Sequence, residues 1–268
     1  MSEYAVRVKN VSKSFNIYHE KRDSMFESMS GFLQKKRNSE VLHALDNISF
    51  DVKQGEIFGI IGPNGSGKST LLRIISKIYA PGSGSVEVNG SIIPILALGL
   101  GFHPEFTAVT NIYQSSILLG FKKDTIDSRV KEIIKFAELE KFADIKVKNF
   151  SSGMLMRLAF ATSVLVDPDI LIVDEVLAVG DTNFQEKCIK TIKSFKENGK
   201  AIIFVSHNMG MIKEYSDRAM FLNNGKAVKI GLPDDAIAAY GDFCRERDKR
   251  GNVSVSYTHL TLPTNREV

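Results

Sequence analysis

The chain has 268 residues, of which 43% are hydrophobic and 25% charged; this is room for one substantial domain, or a domain with a subdomain, of ordinary globular composition. A formal net charge of +4 suits a loose attraction to an anionic membrane surface, but it is too small and too scattered to argue for a nucleic-acid partner. The two cysteines, Cys188 and Cys244, exclude a disulfide framework and match no metal-site spacing, so a reducing, cytoplasmic setting is expected.

Met1–Tyr4 lacks the basic-then-apolar pattern of a secretory leader. No run approaches the ~20 apolar residues that span a bilayer. The longest candidate, Ile92 to Phe102, is broken by Pro94, Gly99 and Gly101. If the protein acts at a membrane, another subunit must do the spanning.

In chain order, residues 4–8 and 48–52 read as strands. In the second, Ile48, Phe50 and Val52 alternate with Ser49 and Asp51, as in a sheet with one wet face. Between them an insertion, about residues 18–40, carries Met25, Met29, Phe32 and Leu33 on one helical face, with basic residues at Lys21-Arg22 and Lys35-Lys36-Arg37. It reads either as a surface loop or as an amphipathic contact for a membrane partner or the lipid surface. Glu56–Ile61 is a short buried strand. After the loop that follows it, Leu71, Ile74, Ile75 and Ile78 fall at helical spacing. Val86 and Val88 continue the half-wet pattern before an Asn89-Gly90 turn, which suggests a small antiparallel sheet against the main core.

Further on, Ile126, Val130, Ile133, Ile134 and Ala137 predict a helix behind an Asp124 cap. Another helix, carrying Arg157, Leu158, Phe160 and Ala161, opens at Phe150–Met154. Asp167-Pro168-Asp169 is a turn, and Ile170–Val173 suits a central parallel strand. A helix from about Asn183 to Asn198 closes at Gly199, with Cys188 on its core face beside Phe184, Ile192 and Phe195. Strands follow at 201–205 and 219–222, the second turning through Asn223-Asn224-Gly225 into 226–230. This alternation predicts an α/β fold with a parallel sheet.

The chemistry concentrates at Gly62-Pro63-Asn64-Gly65-Ser66-Gly67-Lys68-Ser69-Thr70, whose spacing is G-x-x-x-x-G-K-[ST]. Glycines let successive N–H groups turn inward on phosphate oxygens, Lys68 adds a cation, and the Ser69 hydroxyl can ligate Mg²⁺. A strand before it and a helix N-terminus after it complete the context for a nucleoside triphosphate. Ser151, Ser152 and Gly153, at the start of a later helix, form a second anion site. Asp174 and Glu175 end the apolar strand, where parallel strands deliver ligands. Ser206-His207 ends the next one.

This order of motifs resembles the ATP-binding subunits of ABC transporters, over roughly residues 4–240. Where that family has L-S-G-G-Q, this chain has Phe150-Ser151-Ser152-Gly153-Met154. Ser151 and Gly153 are kept, while the first glycine and the glutamine are replaced; Arg157 stands where the family has arginine. The resemblance implies a P-loop NTPase (RecA-like) core with a parallel sheet, a small antiparallel β subdomain and an inserted α-helical subdomain at about 104–160. The nucleotide-binding domain would fill residues 1–245. It further implies that Lys68 and the loop amides hold the β and γ phosphates of ATP and that Ser69 and Asp174 hold Mg²⁺. Glu175 would be the general base, His207 the γ-phosphate contact and Phe15 the adenine stack. Ser151, Ser152 and Gly153, and the loop at Asp181, would serve ATP bound by a second copy of the chain.

The insertion, the stretch Leu98–Thr107 with Asn111-Ile112-Tyr113, and Asp174–Asp181 resemble the subgroup that exports lipid-linked surface polysaccharides such as O-antigen and teichoic acid. The implied partners are a membrane permease and a lipid-linked glycan, at the cytoplasmic face of the membrane, with no nucleic acid. The usual glutamine near residue 102 is absent. Either His103 or Glu105 replaces it, or both are loop residues that contact the membrane subunit. An importer or drug-exporter ATPase is the rival reading, although it would carry that glutamine. A nucleic-acid ATPase of the superfamily would bring a long coiled coil or a second cassette, and a GTPase would carry N-K-x-D. Arg245–Arg250 reads as a helix end or linker. Residues 246–268 have no assigned function: Val255–Thr264 resembles translated sequencing-adapter read-through, so the natural C-terminus is expected to be missing.

Overall fold

Side-chain alternation sorts the strands into two sheets. In the computed structural model, which describes residues 3–18, 39–95, 101–174, 181–206 and 208–255, β1 (Tyr4–Tyr18), β2 (Ser39–Lys53) and β4 (Ser83–Val88) form an antiparallel sheet in the order β2-β1-β4. A second sheet runs β5-β6-β7-β3-β8-β9, from β5 (Ile92–Pro94), β6 (Ile170–Asp174), β7 (Ala201–Val205), β3 (Ile57–Ile61), β8 (Arg218–Asn223) and β9 (Lys226–Gly231). Its first five strands are parallel and β9 returns antiparallel.

The central strands are apolar throughout because both faces are covered. Ile57 and Ile61 of β3, Leu171 and Val173 of β6, and Ile202 and Phe204 of β7 face one core. Phe58 and Ile60, Ile170 and Ile172, and Ile203 and Val205 face the other. Each such fully buried side chain contributes about 1.5–3 kcal/mol, so these three strands fix the frame. The second core is closed by the antiparallel sheet and α1 (Lys68–Ile75). The first is closed by α2 (Ala108–Leu118), α3 (Lys123–Phe136), α4 (Ser152–Leu165), α5 (Thr182–Glu197), α6 (Met209–Tyr215) and α7 (Pro233–Val255).

The structure corrects several sequence expectations. β1 and β2 are each 15 residues long, far beyond 4–8 and 48–52. Their outer halves pair Ser14 with His43 and Phe15 with Leu42 in a ladder wet on both sides, which erases the alternation. Register shifts between Val8 and Lys13 add to this; there Asn10 N–H donates to Ser49 Oγ (2.8 Å) and Asn47 N–H to Ser12 Oγ (2.9 Å). The insertion, at residues 19–38, lies outside the described residues, as does the apolar run at 96–100.

Asn89-Gly90 is no hairpin turn. It carries the chain from one sheet to the other, pinned where Asn89 Nδ2 donates to the Tyr4 carbonyl (2.9 Å) and Ser91 N–H to the Asp169 carboxylate (2.7 Å). α1 ends at Ile75, and Ile78 lies beyond it, 53% exposed. Asp124 sits in the first turn of α3, behind an N-cap at Lys122. The charged run Arg245–Arg250 is helical, inside α7, and residues 256–268 lie outside the described residues.

Cys188 packs as expected against the core beside Phe184, Ile192 and Phe195. Burial pushes its thiol up to about 12, so at pH 8 roughly one molecule in ten thousand is thiolate. Cys244 is half-buried. A thiol reagent at pH 8 should therefore titrate one cysteine in the native protein and two after denaturation; two fast-reacting thiols in the native state would contradict the packing of α5.

Candidate functional site

β3 delivers its carboxyl end into the loop from Gly62 to Gly67, and α1 leaves from it. Gly65 (φ +77°) and Gly67 (φ +107°) take left-handed conformations that only glycine adopts cheaply. A Cβ on Gly67 would stand 2.6 Å from the Ala44 carbonyl oxygen, and one on Gly62 would collide with that of Leu222. Among the described residues nothing stands within 4 Å of a Cβ on Gly65. Among the described residues no side chain caps α1, and its first turn holds no acid. Its leading N–H groups and dipole therefore favour an anion. Lys68 curls over the loop, its Nζ donating to the Gly62 (2.6 Å) and Pro63 (2.9 Å) carbonyls. Ser69 is exposed at the loop mouth, whereas the Ser66 hydroxyl is buried without a hydrogen-bond partner among the described residues.

A cleft of about 360 Å³ opens over this loop, walled by Asn64–Thr70 on one side and by Phe15, Leu42, His43 and Ala44 on the other. Such a volume suits a small-molecule site. Phe15 is braced edge-on by Tyr79 (5.8 Å), with Lys13 Nζ 5.5 Å from its ring. The β1–β2 register thus brings Phe15 to the phosphate loop. It also brings His43, which the sequence reading missed; its Nδ1 lies 3.0 Å from Ser14 Oγ. Only the ladder pairing Ser14 with His43 reveals that placement.

β7 lies next to β3 and β6 next to β7, and both end level with the loop, Asp174 pairing with Val205 and Val205 with Ile60. The backbone of Asp174 therefore stands at the strand-end edge from which the loop springs. Glu175 and His207 lie outside the described residues. Of the neighbouring described residues, Asn208 N–H donates to Ser206 Oγ (3.0 Å), and Asn208 Oδ1 accepts from Gly210 N–H (2.9 Å) to cap α6.

The second motif is elsewhere. Ser151 is the N-cap of α4, its Oγ accepting from Met154 N–H at 3.2 Å, and Ser151 and Ser152 are exposed. Among the described residues, a Cβ on Gly153 would meet only Ser151 Oγ, at 3.9 Å. None of these residues lines the phosphate cleft. Asp181 caps α5, accepting from Phe184 N–H at 2.9 Å. Arg157 pairs with Glu138 at 3.2 Å.

Nor do His103 and Glu105 line the cleft. The His103 ring packs at a tilt against Phe106 (4.6 Å between centroids). Glu105 pairs with Lys148 (2.9 Å) and Lys146 (3.1 Å), which hold its carboxyl below the usual range. Buried Asn111 ties this loop together, accepting from His103 N–H and donating to the carbonyls of His103, Phe106 and Thr107.

Loop, parallel sheet and flanking helix define a nucleotide-binding cassette of the P-loop NTPase class. Residues 45–178 match the family model described as ABC transporter, and the chain belongs to that family. It is 41% identical to the O-antigen export system ATP-binding protein RfbB of Klebsiella pneumoniae, over 89% of this chain and 98% of that protein. It is also 41% identical to a protein of the same name from Myxococcus xanthus, over 88% of this chain but 55% of that protein. The teichoic acids export ATP-binding protein TagH of Bacillus cereus is 38% identical over 91% of this chain and 43% of its own length. The chain thus spans about half the length of these last two relatives. Among solved structures, the dimeric post-hydrolysis state of the ATP-binding cassette MJ0796 bound to ADP and Pi is similar (26% identity, TM-score 0.66, 85% of this chain and 98% of that one).

Replacing Lys68 with Ala removes the loop's cation, together with its hydrogen bonds to the Gly62 and Pro63 carbonyls. Titration calorimetry should show nucleoside-triphosphate affinity falling by about a hundredfold or more, as for loss of a charge-assisted contact. Unaltered affinity would exclude this loop as the phosphate site.

Proposed function

We propose that the chain is the ATP-hydrolysing subunit of an exporter that carries a lipid-linked surface polysaccharide across the cytoplasmic membrane. The observation that carries this is identity of 41% and 38% to subunits named for O-antigen and teichoic acid export, along about nine-tenths of the chain. Among the described residues no helix is long and apolar enough to cross a membrane, which is compatible with a separate permease partner. The proposed site is the cytoplasmic face of the membrane, held through that permease.

In this reading the N–H groups of Asn64–Thr70 and the Lys68 ammonium hold the β and γ phosphates, and Phe15 stacks on adenine. The cleft walls support both roles. Ser69 and Asp174 are the residues to hold Mg²⁺, an oxygen donor set suited to that ion. The ion supplies charge neutralisation on the phosphates. Glu175 is the proposed base for the attacking water, and His207 the proposed γ-phosphate contact. The work is positioning and charge compensation rather than covalent chemistry.

Ser151, Ser152 and Gly153 are absent from the walls of their own chain's cleft, which supports their serving the ATP of a second copy, with Asp181 beside that interface. The cap at Ser151 does not forbid this. A hydroxyl that accepts from Met154 N–H keeps its own proton to donate to a phosphate oxygen. Two ATP molecules would then hold a homodimer together until hydrolysis releases it.

Glu175→Gln should keep wild-type ATP affinity and lose hydrolysis by at least about a hundredfold, with the ATP-bound chain running as a dimer in light scattering. Normal turnover by this variant would remove Glu175 from the role of base.

A further inference from the structure

We infer that the β8–β9 turn is a buttress that presets the phosphate loop, with Gly225 as its positioning residue; this rests on the loop being the nucleotide site. Gly225 lies far along the chain from the loop, yet its N–H donates to the Ser66 carbonyl at 2.9 Å. Its own carbonyl accepts from Asp46 N–H on β2 at 2.8 Å, and the next residue, Lys226, pairs with the Asp46 carboxylate at 3.2 Å. The turn is thus bonded on one side to the loop and on the other to the strand that walls the cleft.

The steric fit is as close as the bonding. A Cβ on Gly225, whose φ is +73°, would stand 2.8 Å from the Ala44 carbonyl oxygen and 3.0 Å from Leu45 Cα. The same Ala44 oxygen limits Gly67, and the Leu222 carbonyl, at the end of β8, limits Gly62. Backbone from β2 and from the β8–β9 hairpin therefore meets the loop at Gly62, Ser66 and Gly67.

A glycine-rich loop left alone samples many conformations, and ordering it on binding costs affinity. Contacts that order it beforehand remove that cost. Gly225 acts through the loop rather than on the nucleotide. Linkage requires the coupling to be reciprocal: if the turn favours the binding-competent loop, bound nucleotide must stabilise the turn by the same factor.

Gly199 provides a matched control. Its φ is also +73°, but among the described residues nothing stands within 4 Å of the Cβ position. G225A and G199A thus carry the same backbone strain, and only the first presses on β2. With ATP in a binding titration, G225A should weaken affinity by about tenfold or more, while G199A binds as wild type despite a lower melting temperature. Equal affinity of G225A and wild type, or a loss in G199A as large as in G225A, would overturn the inference. Amide hydrogen exchange on the unmutated protein tests it without any variant: saturating ATP should slow exchange at the Gly225 N–H, and unchanged exchange there would equally overturn it. If the unmutated protein itself bound no ATP, the nucleotide reading would fall, and this inference with it.

Discussion

A row of peptide N–H groups converges on one anion only if the backbone enters regions that side chains forbid. Everything else in the fold follows from holding that arrangement. Gly65 and Gly67 supply the left-handed conformations, at φ +77° and +107°. The parallel sheet supplies a rigid strand to launch them, since β3 is buried along its whole length between β7 and β8. α1 supplies uncapped amides at the far end. Carbonyls of Ala44 and Leu222 close the space that any larger residue at positions 67 and 62 would need. The loop is thus shaped by its surroundings as much as by its own sequence.

The same arrangement gives the cleft its two walls. Its phosphate end comes from β3 and α1, and its other wall from the β1–β2 ladder, where Phe15 and His43 stand. The strand ends that carry Asp174 and Ser206 lie alongside, because β6 and β7 are the next strands in the sheet. The N-terminus of α4, with its exposed serines, does not contribute to those walls. A site that hydrolyses ATP must exclude bulk water around the γ-phosphate, and in the proposed homodimer that closure comes from a second chain.

What was legible in the sequence follows from how local its cause is. The phosphate loop, the buried strands 170–174 and 201–205, and the amphipathic α3 and α5 each announce themselves within about a dozen residues. The outer β1–β2 ladder does not, because Ser14–Ile17 and Glu40–His43 are wet on both faces and keep no period. α2 was missed because its inward face is built from Asn111, Ser115 and Ser116 beside Ala108 and Ile112. Buried polar residues, such as Asn111 bonded within its loop, look like surface to a hydrophobicity pattern. His43 and Gly225 acquire meaning only from register and long-range contact, with Ser14 in the first case and Ser66 in the second. For Glu175 and His207 the case rests on the sequence and on strand ends, as both lie outside the described residues.

The claim that most needs testing is that each ATP is held by the loop of one chain and the Ser151–Gly153 motif of another. Two inactive variants decide it, Lys68→Ala and Gly153→Asp, each reconstituted with the permease both alone and as a mixture of the two. In a mixed dimer one site joins an intact loop to an intact Ser151–Gly153 motif, so the account predicts ATP hydrolysis in the mixture where neither variant alone has any. A mixture as inactive as its components would contradict it, and would mean that each chain works with its own motifs.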